Sequence, residues 1–132
     1  MLPKSLNYDH LYNTFNLNIP YKFNIASATI DKFANTNRIA LKNLKYNGEF
    51  ENLSFRFIQK KSNQLANALD NLNLNKNDRV GIILGQCPET LISHISCFKS
   101  GKISIPLFNL FGIDALKFRL SDSSASAVIC DK

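Results

Sequence analysis

Few side chains in this sequence have both the type and the position that chemistry would require. His94 lies among apolar residues of a predicted helix, with no acidic or thiol side chain at ligand spacing, so a packed histidine is favoured over a catalytic one. Ligand sites in open α/β sheets form at the carboxyl ends of strands. That rule excludes Asp78, which begins a strand, and leaves Asp131 as a candidate for which an ordinary turn role is favoured.

Serines and glycines of the chain are candidates for holding a phosphate group. The cluster SDSSAS (121–126) contains neither glycine nor lysine, so it predicts a helix end and a loop, since phosphate cradles need glycines for close backbone approach. Gly81 lies inside a predicted strand and Gly85 stands alone at its end, so a dinucleotide-binding fingerprint is not supported. The sequence therefore assigns no catalytic residue and no metal ligand, and the cofactor-binding residues are unknown.

Composition narrows the functional classes further. Cys87, Cys97 and Cys130 include no close pair, and all three are interpreted as buried thiols, not as a disulfide framework or a zinc site. The net charge of +6 comes from scattered basic residues without a nucleic-acid-binding motif, so no nucleic-acid partner is expected. Neither a membrane span nor a secretory signal is evident, and we expect a cytoplasmic protein.

The first half of the chain predicts a helix, a β-hairpin and a further helix. Residues 1–22 carry aromatic side chains without a helical period and are interpreted as an arm with no element of its own. Asn24 is the expected N-cap of a helix that ends near residues 35–37. The pair Asn47-Gly48 predicts a hairpin over residues 38–53, in which both turn residues would take positive φ.

The helix after the hairpin is expected to begin at a Ser54 cap and to end before two asparagines. Asn73 and Asn77 are predicted to adopt the left-handed conformation, which asparagine tolerates best after glycine. The apolar stripe of this helix is predicted to consist of Ile58, Ser62, Leu65, Leu69 and Leu72.

Three apolar runs alternate with two helices in the second half. RVGIIL (79–84), ISIPLF (103–108) and AVIC (127–130) are continuous, which is typical of strands covered on both faces of a parallel sheet. The order βαβαβ predicts the α/β class and a partial doubly wound, Rossmann-like parallel sheet. Residues expected to face inward are Leu91, Ile95 and Phe98 in the first crossover helix and Ile113, Leu116 and Leu120 in the second.

These segments, in this order, resemble the opening portion of the AMP-forming acyl-CoA synthetases, within the adenylate-forming ligase superfamily. The resemblance is to the acetyl-CoA and medium-chain acyl-CoA synthetase branch, and its motifs are LSFRFIQKKSNQLANAL (53–69), NDRVGIIL (77–84) and FKSGKISIPLF (98–108). Asn77 stands where glycine is usual. The resemblance implies that residues 23–132 form an incomplete N-terminal subdomain of an AMP-binding domain.

The resemblance also implies a reaction and its cofactors. Members of the family convert a carboxylic acid, ATP and coenzyme A to acyl-CoA, AMP and pyrophosphate, with Mg. Their phosphate loop, magnesium-binding segment, ribose-binding aspartate and catalytic lysine lie downstream of the matched segments, so none is carried over to a residue here. The loop at 108–112 corresponds to a region near the coenzyme A nucleotide, but Asn109 and Leu110 depart from its glycine-rich pattern.

Three interpretations remain open at this point. The leading one is a truncated N-terminal part of a synthetase, inactive alone. The second is a fragment that binds a separately encoded remainder, because the last strand and the apolar sheet faces are left open. The third is a small free-standing nucleotide- or coenzyme A-binding module, which rests on fold-level analogy. The acyl chain length and the oligomeric state are left open.

Overall fold

The computed structural model describes Lys4 and residues 7–131. It confirms the α/β class, with a parallel three-stranded sheet preceded by a helix, a hairpin and a further helix. The elements in chain order are α1 (Tyr8–Thr14), α2 (Ile25–Thr29), a 3₁₀ turn (Asp31–Phe33), β1 (Ile39–Leu44), β2 (Phe50–Ser54), α3 (Phe55–Asn71), β3 (Arg79–Ile83), α4 (Pro88–Lys99), β4 (Ile103–Leu107), α5 (Ile113–Asp122) and β5 (Ala127–Cys130).

The N-terminal arm contains a short helix, α1. Its N-cap is Asn7, whose side chain accepts a hydrogen bond from the His10 N–H at 2.9 Å. The expectation of an arm with no element is therefore wrong, because the aromatic residues do have a helical period after this cap: Tyr8, Leu11, Tyr12 and Phe15 share one face at the spacing i, i+3, i+4, i+7. None of the α1 residues is buried.

Asn24 joins the N-terminal region to the sheet-covering helices. Its side-chain oxygen accepts hydrogen bonds from the Ala26 and Ser27 N–H groups, as predicted for an N-cap, and its amide donates to the Phe98 carbonyl oxygen at 2.9 Å. The helix does not run to residues 35–37 as predicted. It ends at Thr29 and continues as the 3₁₀ turn, a tighter geometry that is common at helix ends.

The hairpin of β1 and β2 is confirmed, but its turn differs from the predicted one. Only Gly48 has positive φ, at +83°, and its N–H donates to the Lys45 carbonyl oxygen at 2.9 Å. This is a three-residue hairpin loop, in which a type I turn is followed by one left-handed glycine. The expectation that Asn47 also takes positive φ is therefore wrong.

Helix α3 packs its buried side against the rest of the fold as the stripe predicted, except at its last position. Ser54 caps the helix by accepting a hydrogen bond from the Phe57 N–H at 3.1 Å. Leu72 is 71% exposed, because the helix ends at Asn71 and the chain then turns away. Asn73 and Asn77 have φ of +61° and +68°, which confirms both left-handed positions. The buried residues of α3 are Ile58, Ser62, Ala66 and Leu69.

The sheet has the order β4-β3-β5, with all neighbours parallel. Val80 and Ile82 of the central strand are buried and pack with Leu69 and Cys97. The opposite face is covered by α5, none of whose residues is buried. Ile113 is 84% exposed, so the expectation that it faces inward is wrong, because α5 covers the sheet only with residues after its first turn.

A buried lysine links α3 to the loop before β4. Lys102 is 4% exposed, and its ammonium forms an ion pair with Asp70 at the end of α3. A second ion pair joins Lys99 to Asp31, and Lys99 also donates to the Asn63 side chain at 2.7 Å. The two lysines thus tie α4 and the turn after it to α3 and to the 3₁₀ turn.

We expect Asp70→Ala to lower the free energy of unfolding by about 1–3 kcal/mol, because the buried Lys102 ammonium loses its partner. Urea unfolding of the 132-residue chain followed by circular dichroism measures the change. Asp122→Ala is the matched control, since it removes the same charge from an exposed position at the end of α5. Equal losses for the two variants would contradict a stabilising role for the buried pair.

Candidate functional site at the carboxyl edge of the sheet

The carboxyl ends of β3 and β5 meet beside a cavity of about 390 Å³. The chain leaves β3 through the Leu84–Cys87 loop to build β4 on one side, and it later returns to build β5 on the other. Such a reversal is the topological switch point, where open α/β sheets take their ligands. The cavity is lined by Leu65, Leu84, Cys87, Glu89, Ile92, Ser93, Ile129, Cys130 and Asp131.

Two hydroxyl groups at the start of α4 form hydrogen bonds with nearby backbone carbonyl oxygens. The Thr90 hydroxyl donates to the Gly85 carbonyl oxygen at 2.6 Å and lies 3.4 Å from the Cys87 sulfur. The Ser93 hydroxyl donates to the Glu89 carbonyl oxygen at 2.7 Å. These hydroxyls therefore use their protons on backbone carbonyl oxygens and could contact a ligand only as acceptors.

Two carboxylates remain at the cavity, and they set its charge. Glu89 and Asp131 both line it, and neither forms an ion pair with any cation in the part of the chain that the structure describes. Two unpaired negative charges disfavour an anionic ligand such as a phosphate. Asp131, the candidate proposed from sequence, thus lies at the carboxyl edge as expected, but its surroundings do not suit the phosphates of ATP.

His94 faces a second cavity, of about 340 Å³, near the end of β4. Its Nδ1 lies 3.1 Å from the Ser104 hydroxyl, and its ring is 6.4 Å from that of Phe98. Burial lowers the pKa of His94. The hydrogen bond with Ser104 was not foreseen, because the sequence places the two residues on different elements and gives no direct sign of their pairing.

The serine cluster at 121–126 lies at the amino end of β5, opposite the carboxyl edge of the sheet. The Ser123 hydroxyl donates to the Arg119 carbonyl oxygen at 2.7 Å, Ser124 has φ of +50°, and the Ser126 N–H begins the pairing with β3. The cluster is the end of α5 and the turn into β5, as predicted. Because it precedes β5, it is remote from the carboxyl edge and does not fit a phosphate site.

The glycines and Asp78 have structural roles. A Cβ atom at Gly81 would lie 3.0 Å from Leu120 Cδ2 and 3.3 Å from Leu107 Cδ1, so this glycine allows α5 to approach the sheet. Asp78 accepts a hydrogen bond from the Asn75 N–H at 2.7 Å, within the turn before β3. Neither residue therefore faces the candidate site.

The aromatic side chains of the loop at 108–112 contact each other and Arg119. The Phe108 and Phe111 rings pack edge to face at 5.9 Å, and the Arg119 guanidinium lies 4.1 Å from the centre of the Phe111 ring. Gly112 has φ of −67°, so it does not use the conformations that only glycine allows. This packed loop does not fit the glycine-rich backbone that the family pattern would provide for a nucleotide.

The cysteines differ in exposure. Cys97 is buried and Cys87 is half-buried, but Cys130 is exposed, so the expectation of three buried thiols is wrong for the last strand. Burial raises the pKa of the Cys97 thiol, against the opposing effect of the Lys102 charge. Among residues 4 and 7–131, no three His, Cys, Asp or Glu side chains are grouped so that they could hold a metal ion.

No helix in the described residues has both the length and the apolar character needed to cross a membrane.

Comparison with known proteins identifies similar sequences and folds. The family model described as AMP-binding enzyme matches residues 30–132. A mitochondrial acyl-coenzyme A synthetase of Rattus norvegicus is 29% identical over 133 residues, covering 95% of this chain and 23% of the relative. The acetyl-coenzyme A synthetase of Streptomyces coelicolor is 31% identical over 109 residues, covering 80% of this chain and 17% of the relative.

A crystal structure of Brucella canis acyl-CoA synthetase has a similar fold. It matches with a TM-score of 0.79 and 26% sequence identity, covering 82% of this chain and 20% of the solved chain. This chain therefore spans less than a quarter of the length of these relatives.

We expect the stability of the chain to decrease as the pH falls below about 6.5, the ordinary pKa of histidine, and His94→Gln to reduce this dependence. The folded state has the lower pKa, so below 6.5 the unfolded state binds more protons and unfolding is favoured. Thermal unfolding at a series of pH values between about 7.5 and 5 tests this expectation. An unchanged slope in His94→Gln would contradict the assignment.

Proposed function

We infer that this chain, which belongs to the AMP-binding enzyme family, forms the N-terminal part of an AMP-forming acyl-CoA synthetase. The reaction of the whole enzyme would join a carboxylic acid to coenzyme A, with conversion of ATP to AMP and pyrophosphate. The observation that carries this proposal is the family match over residues 30–132, together with relatives that are named acyl- and acetyl-coenzyme A synthetases.

The part that this chain plays in such an enzyme is to build one layer of the fold. Its serine hydroxyls at 93 and 123 are bound to helix carbonyl oxygens, and Gly81 accommodates a leucine side chain. The cavity at the carboxyl edge carries two carboxylates and does not suit triphosphate. We therefore propose that the ATP-binding and catalytic groups come from the remainder of the synthetase.

The remainder could belong to the same polypeptide or to a separate one, and the same chemistry would follow. In either case the carboxyl edge of this sheet would face segments that this chain does not supply. The packed aromatic loop at 108–112 supports a scaffold role more than a nucleotide-binding role. A free-standing nucleotide-binding module is disfavoured, because none of the candidate phosphate sites has the required backbone geometry.

We expect the 132-residue chain alone to catalyse no carboxylate-dependent exchange of labelled pyrophosphate into ATP. Addition of the part of the Streptomyces coelicolor synthetase that follows its matched region should raise exchange with acetate. We expect an increase of at least about tenfold above either component, because residues that act as one catalytic unit lose most of the rate when part of the unit is missing. The downstream part alone is the control. Exchange by the purified chain alone, at a constant specific activity through successive purification steps, would contradict the proposal.

A further inference from the structure

We propose that Lys32, Arg38 and Arg56 form a binding site for a phosphate group. The three side chains come from the 3₁₀ turn, from the residue before β1 and from the first turn of α3. They are separated in sequence, but the fold gathers them around Phe33 and Ala34. All three are exposed, so a ligand in solution can reach them.

The Phe33 ring holds two of the three cations. The Lys32 ammonium nitrogen lies 5.7 Å from the centre of this ring, and the Arg38 guanidinium carbon lies 4.6 Å from it. Both distances are within the range of cation–π attraction. The ring is itself packed against the Phe55 ring, at 5.2 Å between centres. The two charges are therefore positioned by contacts of the fold.

Arg56 is attached to the same turn by one hydrogen bond. Its Nε donates to the Ala34 carbonyl oxygen at 3.3 Å, and the Arg38 carbonyl oxygen accepts the Phe55 N–H at 3.3 Å. An arginine has further N–H donors besides Nε, and those of Arg56 remain available. The Arg38 guanidinium and the Lys32 ammonium donate no hydrogen bond to any residue that the structure describes.

No carboxylate offsets these three charges in the part of the chain that the structure describes. None of its ion pairs involves Lys32, Arg38 or Arg56, and the first turn of α3 contains no acidic residue. The neighbouring carboxylate of Asp31 is paired with Lys99. Like charges repel each other where they are closer than the Debye length, which is about 10 Å at 0.1 M salt. A bound anion would remove this repulsion.

The surrounding segment has the same sign of charge. Residues 32–69 contain seven of the 16 Lys and Arg residues of the chain, but two of its 10 Asp and Glu residues. A positive region of this kind attracts anions from a distance. A phosphate group offers several acceptor oxygens and on the order of two negative charges, and guanidinium groups match it with paired N–H donors. Phosphate is therefore the anion that this cluster suits.

The elements that build the site lie in the first half of the chain. Asp31 fastens the 3₁₀ turn to the end of α4 through Lys99, and Ser54 caps α3 just before Arg56. The site is separate from the cavity at the carboxyl edge, whose two carboxylates disfavour anions. The inference does not depend on the proposed function, and the two are tested separately.

The test is a titration of the 132-residue chain with inorganic phosphate at about pH 7.5, where phosphate is mostly the dianion. NMR spectra follow the Hε resonances of Arg38 and Arg56, and sodium chloride at equal ionic strength is the reference. Phosphate should shift both resonances to saturation, whereas chloride should not. Absence of a saturable shift, together with absence of binding to the vesicles described below, would overturn the proposal.

Arg38→Gln and Arg56→Gln should each weaken phosphate binding at least about tenfold, because each removes charge-assisted hydrogen bonds. Lys117→Gln is the matched control, since it removes one positive charge from an exposed position of α5, and it should leave the affinity unchanged. Equal losses for Arg38→Gln and Lys117→Gln would overturn the proposal. Circular dichroism checks the fold, and if Arg56→Gln does not fold, Arg38→Gln alone decides.

Arg38→Lys separates a hydrogen-bonded site from general attraction to a positive surface. This variant keeps the charge but loses the planar guanidinium. We expect it to weaken phosphate binding at least about threefold, since lysine cannot donate the same pair of hydrogen bonds. An affinity equal to that of the unchanged chain would show diffuse attraction only and would contradict a built site.

Vesicles distinguish the two sources of a phosphate group. Phosphatidylcholine vesicles that contain phosphatidic acid are sedimented with the chain, and phosphatidylcholine alone is the reference. Binding that Arg38→Gln weakens, without saturable binding of inorganic phosphate, would assign the site to lipid headgroups. Saturable binding of inorganic phosphate that Arg38→Gln weakens would assign it to a soluble ligand. Either result supports the shared phosphate chemistry.

Discussion

The three-stranded sheet depends on the pairing of β3 with a strand on each of its sides. The Asp78 carbonyl oxygen accepts the Ile103 N–H, and the Arg79 carbonyl oxygen accepts the Ser126 N–H, so consecutive peptide groups begin the two ladders. β4 and β5 are not hydrogen-bonded to each other, and their relative position is therefore fixed only through β3 and the helices. The burial of Val80 and Ile82 keeps this central strand in place.

The two faces of the sheet are covered unequally. Helices α3 and α4 pack on one face, where Leu69 and Cys97 are buried with the β3 side chains, and the ion pair of Lys102 with Asp70 fastens the same side. The other face carries α5 alone, brought close by Gly81 beneath Leu120. Because strands of a parallel sheet are normally covered on both faces, the face beneath α5 is the less protected of the two.

Local conformation was predictable where a residue's own chemistry decides it. Ser54 caps its helix, and Asn73 and Asn77 take positive φ, because side-chain hydrogen bonding and tolerance of the left-handed region act within a few residues. Position in the fold was less predictable. Leu72 and Ile113 satisfy an apolar period and are nevertheless exposed, because a period gives the direction of a side chain and does not show what lies opposite it.

At the candidate site, too, features set by neighbouring residues were predictable, whereas features set by the fold were not. The sequence placed Asp131 at a strand end, and the loop at 108–112 was distinguished from a glycine-rich cradle by Asn109 and Leu110; both inferences required only neighbouring residues. The contact of His94 with Ser104 joins α4 to β4 and required the fold. So did the exposure of Cys130, which lies on the same face of β5 as the partly exposed Val128.

Several hydroxyl side chains of the described residues are engaged by hydrogen bonds to the backbone. Hydroxyls that could contact a ligand, those of Thr90, Ser93 and Ser123, donate to backbone carbonyl oxygens near helix ends. Each of these bonds satisfies a backbone acceptor, and satisfied acceptors stabilise the scaffold. A catalytic group must instead be free to change its partners during the reaction. The hydrogen bonds of these side chains are thus accounted for by the stability of the scaffold.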